Sequence, residues 1–279
     1  MVDTRAAKKL LKLLNYDSKL APKDLETCLQ LGDILDDQAK SRASAMVQSD
    51  KFRVWLAEDA SSRPLLVNGH IDLETAEVES PLSLVDAELV KAFEQTGPAF
   101  VVKYFCGLHT ENIDPSRASS SVGMMVSLIG ELLTQMLNRA IEVDVSFLSK
   151  TDLRKVGNDD LDILCIIFRE LTMQLSPKTL LVCVLDEVNL YETENLRRDT
   201  NAIMRRLTRL VAKPTKVVFK LLVTCRGQSL EFQQYFENID ILDLEENVDL
   251  DDSAIWKIKN IGGGDLMGKC QANIIDGRI

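Results

Sequence analysis

Aromatic residues and histidine are scarce in this chain: aromatics make up 5% of its 279 residues, and histidine occurs twice. The core must therefore be built on Leu, Ile, Val and Met, within an apolar share of 46%. The six cysteines form no CxxC pair, and none lies at metal-binding spacing from a histidine, which excludes the common zinc patterns. We interpret them as small buried thiols of a protein in a reducing compartment.

Long apolar runs are also missing. No segment approaches the roughly 18–20 apolar residues of a membrane-spanning helix, and the N-terminus lacks the apolar stretch and cleavage site of a signal peptide. A cytoplasmic protein is therefore expected. The segment Ala6–Leu14 competes with this expectation, because it is a short basic amphipathic pattern. The favoured interpretation is a first helix packed on its own domain; the alternative is a targeting peptide or a helix that lies on an anionic membrane.

Positive charge is in deficit, since 33 basic side chains stand against 43 acidic ones and the net charge is −10. Binding to nucleic acid depends on clustered Lys and Arg, so protein partners are expected rather than nucleic acid. One predicted helix, over about residues 195–213, runs against this trend with five arginines and Lys213. We interpret its charges as a solvated helix face, with a partner-binding surface as the alternative.

Five apolar runs have the character of strands, and segments with helical periodicity separate most of them. The predicted strands cover residues 65–69, 100–106, 180–186, 217–224 and 239–244. Strands that alternate with helices predict an α/β fold, with a parallel sheet of about five strands and helices on both faces. We expect a small helical segment over residues 1–60, the α/β core over 61–248, and a poorly ordered tail over 249–279 that is acidic and then Gly-rich.

Two adjacent acids, Asp186 and Glu187, follow the apolar run Leu180–Leu185. Such a run predicts a strand buried on both faces of a parallel sheet, and open α/β sheets bind ligands at the carboxyl ends of their strands. The pattern is typical of a Walker B strand, in which the Asp holds Mg²⁺ and the Glu activates water. Two acids that simply end a buried strand and face solvent are the alternative.

Arg226 is expected at the same edge of the sheet, because it directly follows the predicted strand that contains Thr224. An arginine there could contact a terminal phosphate and sense its hydrolysis. A surface arginine paired with an acid is the alternative interpretation.

The phosphate-binding loop GxxxxGK[ST], which should accompany a Walker B strand, is absent. Its place, from Asn68 and Gly69 to Ser83, contains no further glycine and no lysine. Four acids that would repel a triphosphate occupy this stretch instead: Asp72, Glu74, Glu77 and Glu79. The remaining groups that could donate hydrogen bonds to a phosphate are the hydroxyls of Ser80 and Ser83 and the backbone amides after Asn68. Ser80 is also the expected N-cap of the following helix.

The chain resembles fungal members of the STAND class of P-loop NTPases, the NACHT-like and nephrocystin-like group, over about residues 52–245. The segments that carry the resemblance are Leu65–Gly69, Ser80–Ser83, Tyr104–Thr110, Met125–Ile129, Val184–Glu187 and Val223–Arg226. Members with an intact site bind ATP or GTP with Mg²⁺ and act as signalling switches. The resemblance implies that Asp186 holds Mg²⁺, that Glu187 is the catalytic acid and that Arg226 is the sensor.

Two functional hypotheses follow from these patterns. In the first, a degenerate module keeps the fold, binds nucleotide weakly or not at all, and serves as an interaction or regulatory scaffold. In the second, the module is an active Mg-ATP or Mg-GTP switch, in which Asn68, Gly69, Ser80 and Ser83 replace the usual phosphate loop. The missing glycines and lysine favour the first hypothesis.

Overall fold

Five parallel strands form one sheet in a computed structural model, which describes residues 5–58, 60–71, 80–113, 116–213, 215–245, 249–251 and 253–260. The strands are β1 (Arg63–Asn68), β2 (Phe100–Phe105), β3 (Leu180–Asp186), β4 (Val218–Cys225) and β5 (Ile241–Asp243). Their order across the sheet is β2-β3-β4-β1-β5, so β4 separates β1 from β3. The predicted α/β class is confirmed, and the arrangement is consistent with a P-loop NTPase-like fold.

The helices of the described residues are α1 (Arg5–Leu14), α2 (Leu20–Ile34), α3 (Asp37–Gln48), α4 (Asp50–Ala57), α5 (Pro81–Thr96), α6 (Ser121–Asn138), α7 (Lys150–Gly157), α8 (Leu161–Met173), α9 (Arg197–Ala212) and α10 (Ala254–Lys259). Local sequence fixes where several of them begin. At α5, the Ser80 hydroxyl accepts the Leu82 N–H at 3.3 Å, and Pro81 follows directly. The expected N-cap at Ser80 is therefore confirmed, and it satisfies an amide that the helix itself leaves unpaired.

The connections between strands explain why helices cover both faces of the sheet. From β1 the chain crosses to the β2 edge through α5, and it then returns through β3 to β4. Right-handed crossovers that run in opposite directions must use opposite faces of the sheet. One apolar core therefore lies between the sheet and α5, with α2–α4 and α10, and the other lies beneath α1 and α6–α9.

The apolar run of β3 contributes to both cores. Leu181, Cys183 and Leu185 belong to the core beneath α6–α9, whereas Val182 and Val184 belong to the α5 core. Every residue of β3 is buried. This confirms the prediction of a strand covered on both faces, and it leaves the acids at its carboxyl end as the first polar groups after the core.

The N-terminal helices join both layers of the fold. α1 buries Ala7, Leu10 and Leu14 against α6 and α7, which supports the packed-helix interpretation of Ala6–Leu14 over a membrane-bound peptide. In the part of the chain that the structure describes, no helix combines the length and the apolarity needed to cross a bilayer.

One expectation about local structure needs correction. Residues 254–259, part of the tail expected to be poorly ordered, form α10, whose Ala254 and Ile258 are buried and which packs on α3 and α5. Residues 261–279 lie outside the described residues. α7, for which the sequence analysis makes no prediction, begins where Ser149 and Asp152 cap each other's backbone amides reciprocally.

The free edge of the sheet at β2 is closed by side chains of α6. The Gln135 amide accepts the N–H of Val101 at 3.1 Å and donates to its carbonyl at 2.6 Å. The Glu131 carboxylate accepts the N–H of Lys103 at 3.3 Å and pairs with its ammonium at 3.0 Å. Paired in this way, the backbone groups of the edge are not available to a strand of another chain.

Candidate functional site

The carboxyl ends of β3 and β4 meet the first turn of α5, and this junction is the candidate site. Asp186, at the end of β3, is only 1% exposed. The Ser83 hydroxyl of α5 donates to its Oδ2 at 2.6 Å, and the Thr224 hydroxyl of β4 lies 2.9 Å from its Oδ1. The structure therefore brings the predicted site residues Asp186 and Ser83 into direct contact.

A second buried carboxyl group, Asp86, completes this cluster and was not predicted from the sequence. Its Oδ2 lies 2.7 Å from the Thr224 hydroxyl, which also contacts Asp186. A hydroxyl has one proton to donate, so both contacts are satisfied when one of the two carboxyl groups is protonated. An acid three residues after Ser83, on the same face of an apolar helix, was the available signal.

Burial sets the protonation of the pair. The pKa of Asp186 is raised to about 7, first because burial penalises the charged form and then because Glu187 carries a like charge. The hydroxyls of Ser83 and Thr224 oppose this rise by bonding to the carboxylate. Burial also raises the pKa of Asp86 well above its usual value, and the negative charge of Asp186 adds to the effect. Burial and mutual repulsion therefore favour the protonated form in this cluster more than in free carboxyl groups, as for close carboxylates in a buried site.

Glu187 and Arg226 form an ion pair beside this cluster. The Arg226 Nε donates to Glu187 Oε1 at 2.5 Å, and Glu187 is only 3% exposed. Glu187 has a left-handed backbone with φ of 52°, a conformation that is uncommon for a residue with a side chain. Both predicted residues lie at the site, but their charged groups neutralise each other inside the protein.

Gly107 permits this arrangement by its lack of a side chain. A Cβ at residue 107 would lie 1.8 Å from Glu187 Oε2, a distance that only displacement of the glutamate could relieve. The loop after β2 therefore packs its backbone directly on the Glu187 carboxylate.

Asn68, at the end of β1, holds the loops around it rather than facing the cluster. Its side-chain amide donates to Asp243 at 2.9 Å, and its carbonyl oxygen accepts the N–H of Ser229 at 3.0 Å. The Asn68 side chain is fully buried. Its role in the described structure is to join β1 to β5 and to the segment after β4.

The backbone amides that follow Asn68 are also engaged within the protein. Gly69, His70 and Ile71 donate to the carbonyls of residues 225, 227 and 226, at 2.8, 3.1 and 3.0 Å respectively. A Cβ on Gly69 would lie 2.5 Å from the Arg226 carbonyl, so this close approach requires glycine. A phosphate cradle needs several amides that converge on one empty point, and these three instead extend the pairing of β1 with the segment after β4. Residues 72–79, with the four predicted acids, lie outside the described residues.

A cavity of about 170 Å³ lies over the junction. Its lining consists of Thr27, Cys28, Leu31, Ser80, Ser83, Gly107, Leu108, Ile113, Asp186 and Glu187. Pockets for small-molecule ligands typically enclose about 300–1,000 Å³, so the space bounded by the described residues is smaller than a nucleotide site needs. One wall is α2, which belongs to the N-terminal segment.

A buried pair fastens α2 over this cavity. His109 Nε2 lies 2.7 Å from Asp24 of α2, and both side chains are less than a tenth exposed. The ring of His109 also contacts that of Tyr104, with centroids 5.1 Å apart. The sequence offered no spacing argument for His109, because its partner is 85 residues away in the chain.

Magnesium is the metal that the resemblance implies, and the donor types at the junction suit it. Mg²⁺ binds one or two carboxylates, hydroxyls and waters in a near-octahedral shell at about 2.0–2.1 Å. Ser83 and Asp186 supply such oxygens, but they are bonded directly to each other at 2.6 Å. Among the described side chains, no group of three or more His, Cys, Asp or Glu residues is arranged to hold a metal. An ion held by both residues would have to separate this pair.

No family model, curated protein or solved structure matches the chain. A functional assignment therefore depends on the geometry of the site.

Proposed function

We propose that this protein is a degenerate P-loop NTPase-like module, similar to the STAND class, that acts as a regulatory or interaction scaffold and binds nucleotide weakly or not at all. The observation that carries the proposal is the internal pairing of the amides after β1. Gly69, His70 and Ile71 donate to backbone carbonyls, and so they do not converge on a phosphate-sized hollow.

The charged groups of the site support the same proposal. Arg226, the proposed sensor, is paired with Glu187, the proposed catalytic acid, at 2.5 Å. Asp186 is buried beside Asp86, with its pKa raised to about 7, and metal binding requires the deprotonated carboxylate. Among the described residues, Asp186, Glu187 and Arg226 are therefore each bonded to other groups of the protein.

An active Mg-ATP or Mg-GTP switch is the second candidate, and one observation favours it. Asp186, expected to hold Mg²⁺, lies 2.6 Å from the hydroxyl of Ser83, which was expected to help replace the phosphate loop. An ion inserted between them would find a hydroxyl and a carboxylate in suitable positions. Under this candidate, nucleotide binding would break the Glu187–Arg226 pair and open the cavity beside α2.

Cytoplasmic localisation is part of the proposal. Five of the cysteines, Cys28, Cys106, Cys165, Cys183 and Cys225, are free and buried, as expected for thiols in a reducing compartment.

Calorimetric titration of the whole chain tests the proposal. Wild type, Asp186→Asn and Glu187→Gln are titrated with ATP, ADP and GTP, each with Mg²⁺. We expect no binding heat up to about 1 mM nucleotide, which bounds the binding free energy at about −4 kcal/mol. Submicromolar affinity for Mg-ATP that Asp186→Asn abolishes would overturn the scaffold proposal. If hydrolysis accompanied it and Glu187→Gln stopped that hydrolysis, the switch would be established.

A further inference from the structure

Positive charge is concentrated on two short helices at the outside of the fold, α1 and α7. α1 contains four basic residues and no acid, and α7 contains three basic residues and one acid, in a chain whose net charge is −10. Five of these cations are exposed and make no ion pair with an acid among the residues that the structure describes: Lys8, Lys9, Lys12, Lys150 and Arg154.

Three nearby acids are already engaged by other groups. Asp152, the one acid of α7, accepts the backbone N–H of Ser149 at 3.0 Å and its hydroxyl at 2.7 Å. Asp17, after α1, accepts a backbone N–H two residues later at 2.9 Å, and Asp159, after α7, pairs with Arg117. The five exposed cations therefore form a local patch whose sign is opposite to that of the chain as a whole.

The two helices pack against each other, so their cations belong to one surface. At the contact, a Cβ on Gly157 of α7 would lie 3.5 Å from the side chain of Leu13 of α1. Residues three or four apart share a face of a helix. Lys9, four residues before Leu13, therefore lies on one side of this seam. Arg154, three residues before Gly157, lies on the other side.

Two partly exposed leucines accompany these cations. Leu13 of α1 and Leu153 of α7 each leave 37% of their surface exposed. Leu153 lies one turn before Gly157, on the side of α7 that faces Leu13. The other apolar face of α1 is buried against the fold, so it cannot enter a bilayer. The surface that remains outside is basic, with two leucines at its seam.

A leaflet of anionic lipid fits this surface better than other polyanions do. Cations beside exposed leucines are typical of helices that lie in a membrane interface, where the apolar side chains enter the headgroup region. A nucleic-acid backbone offers phosphates and sugars, but no apolar counterpart for the leucines. The cations lie on the outer sides of two helices, which suit a planar partner rather than a peptide helix that needs a groove. Acids elsewhere in the chain are screened beyond about 8 Å at physiological salt.

We propose that α1 and α7 form a peripheral docking surface for a membrane leaflet that contains anionic phospholipids. The five exposed cations pair with lipid phosphates and carboxylates, and Leu13 and Leu153 lie at the level of the headgroups. The negative charge of a cytoplasmic leaflet comes from such lipids, which agrees with the proposed localisation. The inference goes beyond the scaffold function, because it states where the module would be attached, and it involves no nucleotide.

Co-sedimentation of the full chain with lipid vesicles tests the inference. The probe is a vesicle of phosphatidylcholine with about 30% phosphatidylserine, which carries the negative surface potential of an anionic leaflet. A matched vesicle contains phosphatidylcholine alone. We expect binding to the anionic vesicle, weakened as salt is raised from about 0.05 to about 0.5 M, and no binding to the neutral one.

Three double variants separate this surface from general electrostatics, because each reverses two exposed charges four residues apart. Lys8→Glu/Lys12→Glu on α1 and Lys150→Glu/Arg154→Glu on α7 should each lower the partition coefficient by about 25-fold or more, at about fivefold for each basic residue near an anionic leaflet. Arg205→Glu/Arg209→Glu makes the same change on α9 and should leave it within about twofold. Leu153→Ser, which removes apolar surface from the seam, should lower it by about threefold.

Three outcomes would overturn the inference. The first is no binding of anionic vesicles at about 1 mM lipid, ten times the concentration that a binding constant of about 10⁴ M⁻¹ requires. The second is an equal loss of binding in the α9 variant and in the variants of α1 and α7. The third is binding of a labelled oligonucleotide or of a polyglutamate peptide without binding of vesicles, which would assign the surface to nucleic acid or to an acidic protein.

Two controls accompany the vesicle assay. Circular dichroism checks that each variant is folded. Asp186→Asn should bind anionic vesicles as wild type does, because its side chain is buried at the α5 junction and no nucleotide is present. Failure of the docking surface is therefore distinguishable from failure of the scaffold proposal, which is tested by nucleotide titration.

Discussion

Replacing Asp186 by asparagine should make the protein less stable in acid and more stable near neutral pH. The side chain is buried, and the pKa of its carboxyl group is raised from 3.8 to about 7. Between those pH values the folded chain binds more protons than the unfolded chain, so wild-type stability falls as the pH rises and levels off above the folded pKa. Because asparagine cannot ionise, the variant does not lose stability in this way as the pH rises.

The magnitude follows from the same shift. A pKa rise of that size corresponds to at most about 4 kcal/mol of unfolding free energy, at about 1.4 kcal/mol for each pH unit. Asparagine keeps one acceptor oxygen, so one of the contacts with Ser83 and Thr224 must be remade or lost, at a cost of about 1 kcal/mol. We expect Asp186→Asn to be about 1 kcal/mol less stable than wild type near pH 4 and about 3 kcal/mol more stable near pH 8.

Urea unfolding followed by circular dichroism, from about pH 4 to pH 8, measures this crossover. Glu111→Gln, which removes an exposed carboxyl group, serves as the matched control and should change stability by less than about 0.5 kcal/mol throughout. If Asp186→Asn is destabilised by the same amount at every pH, Asp186 is held ionised in the fold. In that case burial does not raise the pKa of this carboxyl group.

Three further substitutions test the packing around the site and the sheet edge. Gly107→Ala should lower the unfolding free energy by about 1–3 kcal/mol, because the added methyl group overlaps the buried side chain of Glu187. Gly157→Ala is the control: its new Cβ would meet nothing closer than 3.5 Å, so the unfolding free energy should not fall in the same urea titration. Gln135→Leu leaves the N–H and carbonyl of Val101 unpaired. Because the β2 edge is then open to other strands, we expect faster aggregation in light scattering. Unchanged scattering would show that Gln135 does not protect this edge. Asp24→Ala should destabilise by about 1–3 kcal/mol, because it removes the buried hydrogen bond with His109 Nε2. Hydrogen exchange should then show α2 opening first, and uniform loss of protection would contradict a local role for this pair.

Much of the fold was accessible from periodicity. The uninterrupted apolar run of β3 predicted a strand buried on both faces, and Ser80 followed by Pro81 predicted the start of α5. Such signals are local, because capping and side-chain alternation act within a few residues. α10 escaped prediction because a six-residue helix has too few turns to show a period, and it is stabilised by packing on α3 and α5 rather than by its own sequence.

The sequence predicted where some of these side chains lie, but not how they are paired. Asp186, Glu187 and Arg226 could be placed at one sheet edge because parallel strands end together. Their internal pairing depends on side-chain geometry, which no spacing rule supplies. Asp86 and Asp24 were missed for the same reason: each acts through a partner more than 80 residues away.

The sequence by itself determined the class of the fold, the position of the acids after β3 and the absence of the Gly- and Lys-containing phosphate loop. These properties depend on residue type and on short-range order, which can be seen along the chain. Only the tertiary structure decided that Gly69, His70 and Ile71 donate to backbone carbonyls, and that the buried carboxyl groups of Asp86 and Asp186 both contact the Thr224 hydroxyl. Each of these results depends on which distant groups come within about 3 Å of one another, and that is fixed only when the crossovers and layers of the fold assemble.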